Sequence, residues 1–293
     1  MTSARAAAVL NAPETDGHEE LLTLRAGAAM VEVAPQHGCL ISVLDPGGGR
    51  NLLWRDGRSP RTLTGSDLVG DASGTDFDDN TLVGGWFPMF PNAGLATAET
   101  QQHGWAPRVA WSILRQGRGW VVCEAEGAFL NGGSAVLRRA IRVTEFALEV
   151  RTTVENAGAT AGEFTWGEHP CFSGEVFAGG CAVFAGEVVR RIPLAPDGAE
   201  GHEARIGPAP ATLHGPGVSI ELTDLAGTQP YWLMWFNHRA PVLPRADTIA
   251  WETSNAPGLG LTDARAAGRT QILEPGGVAM SIIRCRWTLS TTD

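Results

Sequence analysis

Lysine is absent from the 293-residue chain, and tyrosine occurs once, as Tyr231; all 22 basic residues are arginine. A lyase or isomerase that works through a lysine or tyrosine base is left with one candidate side chain. Positive charge is scarce overall. The formal net charge of -10 argues against nucleic acid, whose binding needs a basic face that displaces counterions, and against an anionic membrane surface. No hydrophobic run approaches the ~20 residues that cross a bilayer as a helix. The first twenty residues carry a short alanine-rich patch and then turn acidic, too little apolar length for a secretory signal. The five cysteines (Cys39, Cys123, Cys171, Cys181, Cys285) are odd in number and include no Cys-x-x-Cys pair, which excludes a complete disulfide framework. Cys123 and Cys285 lie in apolar runs and read as small buried hydrophobes; the expected setting is reducing, the cytoplasm. Glycine-rich dinucleotide and phosphate loops, HExxH and GxSxG are also missing.

What remains is a globular composition, 43% hydrophobic and 18% charged, with a period of two. Phe146, Leu148, Val150 and Val154 share one face of their segment, and Glu149, Arg151 and Thr153 the other, the pattern of a half-buried antiparallel strand. Segment 135–144 alternates similarly. Strands are also expected at 28–33, 40–44, 120–129, 218–222, 231–236 and 278–287, separated by turn signals such as Pro46-Gly-Gly-Gly49, Asn131-Gly-Gly133 and Pro275-Gly-Gly277. With 37 glycines and 18 prolines and no strand–helix alternation, the expected fold is all-β: a large antiparallel β-sandwich. No linker and no repeat divides the chain, so residues 1–293 read as one domain, with 1–20 as a loose leading segment. A short helix is expected near Asp197–Arg205. The polar stretch 55–80 reads as a long loop. Within it Asp76-Phe-Asp-Asp-Asn80 is a solvated loop, without the glycine and distal glutamate of a calcium loop.

Three segments concentrate residues able to do chemistry. The first runs from Gly84-Gly-Trp-Phe-Pro-Met-Phe-Pro-Asn-Ala-Gly94 to Gln102-His-Gly-Trp-Ala-Pro-Arg108. Rigid loops with one imidazole and several indoles suit a cleft for a flat apolar ligand face; alone, His103 reads as a turn histidine satisfied by backbone. The second is Thr165-Trp-Gly-Glu-His-Pro-Cys-Phe172. Pro170 forces His169 into an extended conformation, which places it at a strand end or rim, as a cleft residue or as a structural histidine of an edge turn. Glu168 faces the other side of the strand and reads as a bystander. The third is Ile249-Ala-Trp-Glu-Thr-Ser-Asn-Ala-Pro-Gly258. Glu252 there is either a solvent-facing strand residue or a buried carboxylate that needs a partner and suits a general base. Glu274 reads as hairpin surface.

In order and spacing, these segments resemble the aldose 1-epimerase (galactose mutarotase-like) family, over most of the chain. Residues 84–91 and 102–106, with Trp111, resemble the family's Gly-Gly, Pro, His-Gly and Trp stretch; 166–172 resemble its His-Pro motif; 251–257 its Glu-Thr motif; and 272–276 its closing Pro-Gly hairpin. The resemblance implies a large β-sandwich with a shallow sugar cleft, and interconversion of α and β anomers by ring opening and closure, without metal or organic cofactor. Carried over by position, Glu252 would take the proton from the C1 hydroxyl, His169 would protonate the ring oxygen, and His103 would help polarise that oxygen. Asn92, Trp86, Trp105, Trp166, Trp232 and Arg108 are the implied sugar contacts. The family's galactose enzymes have an Asn-Arg pair in the first loop, whereas here Ala93-Gly94-Leu95 follows Asn92. The partner is thus a monosaccharide or a sugar phosphate, the latter held by Arg55, Arg58, Arg61 and Arg108. A non-catalytic carbohydrate-binding protein on the same scaffold is the reading from another class. A monomer or a homodimer is expected.

Overall fold

A computed structural model describes residues 21–59, 61 and 73–290. In chain order the strands are β1 (Leu22–Ala26), β2 (Ala29–Ala34), β3 (Leu40–Asp45), β4 (Gly85–Met89), β5 (Ser112–Gly117), β6 (Trp120–Ala128), β7 (Ser134–Val143), β8 (Ala147–Asn156), β9 (Gly162–Phe164), β10 (Gly167–Ser173), β11 (Cys181–Phe184), β12 (Glu187–Arg191), β13 (Glu200–Ile206), β14 (Ala211–Gly215), β15 (Val218–Asp224), β16 (Tyr231–His238), β17 (Asp247–Ser254), β18 (Gln271–Leu273) and β19 (Val278–Leu289). They form two large sheets. One runs β1-β2-β3-β4-β10-β17-β16-β13, the other β12-β11-β14-β15-β19-β8-β7-β6-β5, and β9 pairs with β18 apart. The strand pairings are antiparallel. The expected all-β sandwich is what the chain forms. Among the described residues no helix is long and apolar enough to cross a membrane.

Alternation builds the second sheet. In β8, Leu148, Val150, Thr152, Val154 and Asn156 are buried while Arg151 is exposed; in β19, Ala279, Ser281, Ile283, Cys285 and Trp287 turn inward. The centre of the first sheet loses this signature. Strand β4 is buried throughout and β10 nearly so, because each is covered on both sides. Trp86 joins the core between the sheets, and Phe87, next along the strand, joins a smaller cluster on the outer face with Trp54, Phe77, Leu82, Met89, Cys171 and Leu243. The two clusters are the two faces of one pleat.

Two expectations need correction. The segment expected to be a helix near Asp197–Arg205 is strand β13, paired along its length with β16 from Glu200↔Asn237 to Ile206↔Tyr231. It lies at a sheet edge and alternates between exposed and half-buried residues, so it carries no strong apolar face to betray its period. The stretch 55–80 is not all loop: Phe77–Thr81 closes a helical turn, while residues 60 and 62–72, like 1–20, lie outside the described residues. A six-residue helix, α1 (Leu261–Ala266), was not expected.

Glu168 does face away from His169, but it is no bystander. Its carboxylate lies between the sheets. Arg139 Nη2 of β7 and Trp86 Nε1 of β4 donate to Oε2 at 2.6 and 2.8 Å, and Thr152 Oγ1 of β8 donates to Oε1 at 2.7 Å. Arg139 is 0% and Glu168 1% exposed. Charges so deeply buried need each other, since removal of one strands the other without water. Arg139→Ala is therefore expected to cost about 3–5 kcal/mol of unfolding free energy, read by urea denaturation. An Arg139→Met/Glu168→Leu double variant should recover part of that loss.

Candidate active site

A cleft of about 210 Å³ opens on the outer face of the first sheet. Its floor is one face of the pleat. His169 comes from β10, Glu252 from β17, Leu233, Trp235 and Asn237 from β16, and Glu200 and His202 from β13. The register explains the set: Leu233 pairs with Glu252, His202 with Trp235 and Glu200 with Asn237. The facing wall is built by Asp78, Leu82, Gln102, His103 and Leu243.

His169 does not sit at a rim. Strand β10 is central, flanked by β4 and β17. Its ladder with β17 has pairs at Glu168↔Thr253 and Cys171↔Ala250 but none at His169 and Pro170. Pro170 has no N–H to give, and the register on either side sets Glu252 opposite His169. Their side chains meet, His169 Nε2 to Glu252 Oε1, at 3.2 Å. Nδ1 of the same ring lies 3.3 Å from Cys171 Sγ. Phe87 stacks on the ring at 4.5 Å, and Trp235 meets it edge-on at 5.9 Å.

His103 approaches from a loop, its ring centroid 5.0 Å from that of His169. It takes a left-handed backbone, φ 58°, followed by Gly104 at φ 69°. A Cβ on Gly104 would stand 2.1 Å from the Phe90 carbonyl oxygen, so only glycine lets the turn approach β4 so closely. Asn92 secures this turn: its Nδ2 faces the carbonyl oxygens of Gly94, Leu95 and Gln101 at 3.1, 2.9 and 3.0 Å.

The two imidazoles are tuned apart. Burial alone would depress the His169 pKa, but the Glu252 carboxylate and the Cys171 sulfur overcome it and push the value up to about 10. His169 is an imidazolium at neutral pH. Burial, the charge of His169 and that of Arg108 hold His103 well below 6.5, so it is neutral. The cleft thus sets a carboxylate, a cationic acid and a neutral imidazole side by side.

Solved structures share this architecture. A galactose mutarotase-like protein of Lactobacillus casei ATCC 334 matches with a TM-score of 0.66 and 16% identity, over 92% of this chain and 100% of its own. A protein of Escherichia coli K12 described as a candidate aldose 1-epimerase matches with a TM-score of 0.68 and 18% identity, over 92% of this chain and 99% of its own. One from Klebsiella pneumoniae with the same description gives 0.73 and 10%, over 94% and 82%. The chain has the galactose mutarotase-like fold. No family model matches the sequence, and no curated protein matches it.

Within this mutarotase-like scaffold the structure brings His103, His169 and Glu252 together and leaves the other expected contacts elsewhere. Trp86 is 0% exposed and donates to Glu168 on the inner face. Trp105 donates to the Ala128 carbonyl oxygen at 2.9 Å, and Trp166 packs on Phe164. Trp232 faces Phe184 and borders only a small cavity of about 60 Å³ beyond Leu233 and Glu252. None of the four lines the cleft. These indoles fill the space between the sheets because each stands one residue, or one face, out of phase with the cleft. Asn92 is buried and holds backbone. Arg108 is buried too, bonded to Asp76 Oδ2 at 2.7 Å and set over the Phe77 ring at 5.1 Å, so it braces the helical turn from behind.

Among the cleft residues not singled out from sequence are Asp78, Glu200, His202, Trp235 and Asn237. Period two does group Leu233, Trp235 and Asn237 opposite Trp232, Met234 and Phe236, but the pattern alone does not say which group faces the core. Asp78 was considered only as part of a calcium-like loop; among the described residues no cluster could hold a metal ion.

Imidazole NMR titration should show His169 protonated until pH approaches about 10 and His103 neutral across the range in which free histidine titrates. The raised value means that ionisation of His169 favours the fold fully below its unfolded pKa of about 6.5, a gain lost as pH rises through the folded value. In Glu252→Gln the burial effect is left with less opposition, so the His169 pKa should fall sharply.

Proposed function

We propose that the chain is an aldose 1-epimerase that interconverts the α and β anomers of a sugar by opening and reclosing its ring. The observation that carries this reading is the contact between Glu252 and His169 at 3.2 Å in the floor of the cleft. Ring opening removes one proton from O1 and adds one to the ring oxygen, and both oxygens are bonded to C1. A base and an acid that touch each other can serve both. Glu252 takes the O1 proton while the C1–O1 double bond forms and the bond from C1 to the ring oxygen breaks. The His169 imidazolium gives its proton to the departing ring oxygen, and neutral His103 hydrogen-bonds that oxygen. After rotation about C1–C2 the roles exchange: His169 takes the proton back from the attacking hydroxyl, and protonated Glu252 returns its own to O1. Every proton is accounted for by a side chain, and the enzyme ends as it began.

Freshly dissolved α-anomers of glucose, galactose and several pentoses, followed by polarimetry or NMR, test the proposal. The protein should accelerate equilibration of at least one of them. Glu252→Gln and His169→Gln should each lower kcat/KM by about 10²–10⁴-fold, with unchanged circular dichroism. Saturable sugar binding without acceleration would overturn the catalytic reading in favour of a binding protein.

A further inference from the structure

Cys171 stands two residues after His169 on β10, so both side chains point to the outer face of the first sheet. The register arranges that face in rows. Phe87 of β4 pairs with His169, and Leu233 of β16 with Glu252. In the next row Cys171 lies between Gly85 of β4 and Ala250 of β17. Neither neighbour has a side chain that can hydrogen-bond, so the sulfur is what the near edge of the imidazole meets. Sγ lies 3.3 Å from His169 Nδ1, while Nε2 lies 3.2 Å from Glu252 Oε1. The strand holds the sulfur in place: the Cys171 carbonyl oxygen accepts from the Trp54 N–H at 2.8 Å, and the residue is buried in the cluster of Trp54, Phe77, Phe87 and Leu243.

A sulfur, an imidazole and a carboxylate in line are also the parts of a thiol nucleophile with its base and orienting group. Here Cys171 does not line the cleft and is 0% exposed, so its sulfur meets no substrate and acts only on His169. The ring is already held between Phe87, stacked at 4.5 Å with 20° between the planes, and Trp235, edge-on at 5.9 Å. These contacts fix the plane of the ring but not which way round it lies. A half-turn about Cβ–Cγ keeps the plane and exchanges Nδ1 with Cδ2 and Nε2 with Cε1. Carbon atoms would then face the sulfur and the carboxylate, and both hydrogen bonds would be lost. An imidazolium has two donors, and here each has one acceptor. A thiol sulfur accepts weakly, so it selects the orientation and leaves the stronger bond to Glu252.

We propose that Cys171 is a positioning residue: its sulfur accepts the Nδ1 proton of His169 and so holds the ring in the one orientation that aims Nε2 at Glu252. The inference rests on the acid–base reading of the cleft above and deepens it. The charged or titratable groups that face His169 besides Cys171 are Glu252 from β17, Asp78 from the helical turn and His103 from its loop; β4 and β16 bring the uncharged rings of Phe87 and Trp235. A substitution at Cys171 leaves all of these in place.

The test is nitrogen-15 NMR of the histidine rings in the full chain, without substrate, beside Cys171→Ala and Cys171→Ser. Near neutral pH both ring nitrogens of His169 should carry protons in the wild type, the one on Nδ1 slow to exchange. Cys171→Ala should lower the His169 titration midpoint from about 10 by about one unit, and Cys171→Ser, whose hydroxyl also accepts, should restore most of it. In mutarotation assays Cys171→Ala should lower kcat about tenfold with little change in KM, and Cys171→Ser less. Where Cys171→Ala fails to fold, the wild-type spectrum and the serine variant decide. A shifted midpoint in a protein that accelerates no sugar keeps the orienting hydrogen bond and discards the epimerase. An unprotonated Nδ1 in the wild type, an unchanged midpoint in Cys171→Ala, a serine variant that falls as far as the alanine one, or an unchanged kcat in an active enzyme overturns the positioning role.

Discussion

The ion pair of Glu168 with Arg139 is the constraint around which the molecule is arranged. It joins a central strand of one sheet to an interior strand of the other, through a carboxylate whose two oxygens also accept from Trp86 and Thr152. A buried charge tolerates little displacement, because its loss of water is offset only while those partners stay in place. The position of β10 relative to the second sheet is therefore fixed by polar geometry as well as by packing. His169 is the next residue along that strand. Whatever fixes Glu168 on the inner face also fixes His169 on the outer one.

That coupling is an instance of a wider rule in this fold. Each strand of the first sheet has two faces with different duties, and adjacent residues divide them. Trp86 enters the core while Phe87 stacks on His169. Trp251 lies in the core while Glu252 lines the cleft. Bulky aromatics behind the floor hold the backbone, and polar groups line the cleft in front. The loops then supply what strands cannot: His103 on a left-handed turn that Gly104 permits and Asn92 secures.

The sequence made the all-β class legible through the period of two in β7, β8 and β19, where one face is buried and the other wet. It was weaker where that contrast vanishes. Strands β4 and β10, covered on both faces, read as motifs rather than as alternation, and β13, exposed along half its side chains, read as a helix. His103, His169 and Glu252, which meet in one cleft, were legible as a set because proline, glycine and short polar motifs mark them. The rest of the cleft lining was not. Indoles in those motifs were assigned to the ligand, whereas the pleat assigns them to the core, and the phase that would separate Trp232 from Trp235 is set by pairing with β17. Asp78 and Asn237 depend on contacts distant in sequence, which composition and spacing do not encode.

Strand β13 closes the first sheet, with β16 on one side and, among the described residues, no strand on the other. A border strand is held by half the ladder of an inner one, so it opens locally at lower free energy than β10 or β17. The cleft therefore has a stiff end and a compliant end. His169 and Glu252 stand on the stiff interior, and Glu200 and His202 stand on the compliant border. Substitutions along that border can reshape the cleft while the spacing of His169 and Glu252 stays as it is. In mechanical terms the molecule resembles a vice, with one jaw fixed to the frame and the other free to be refitted.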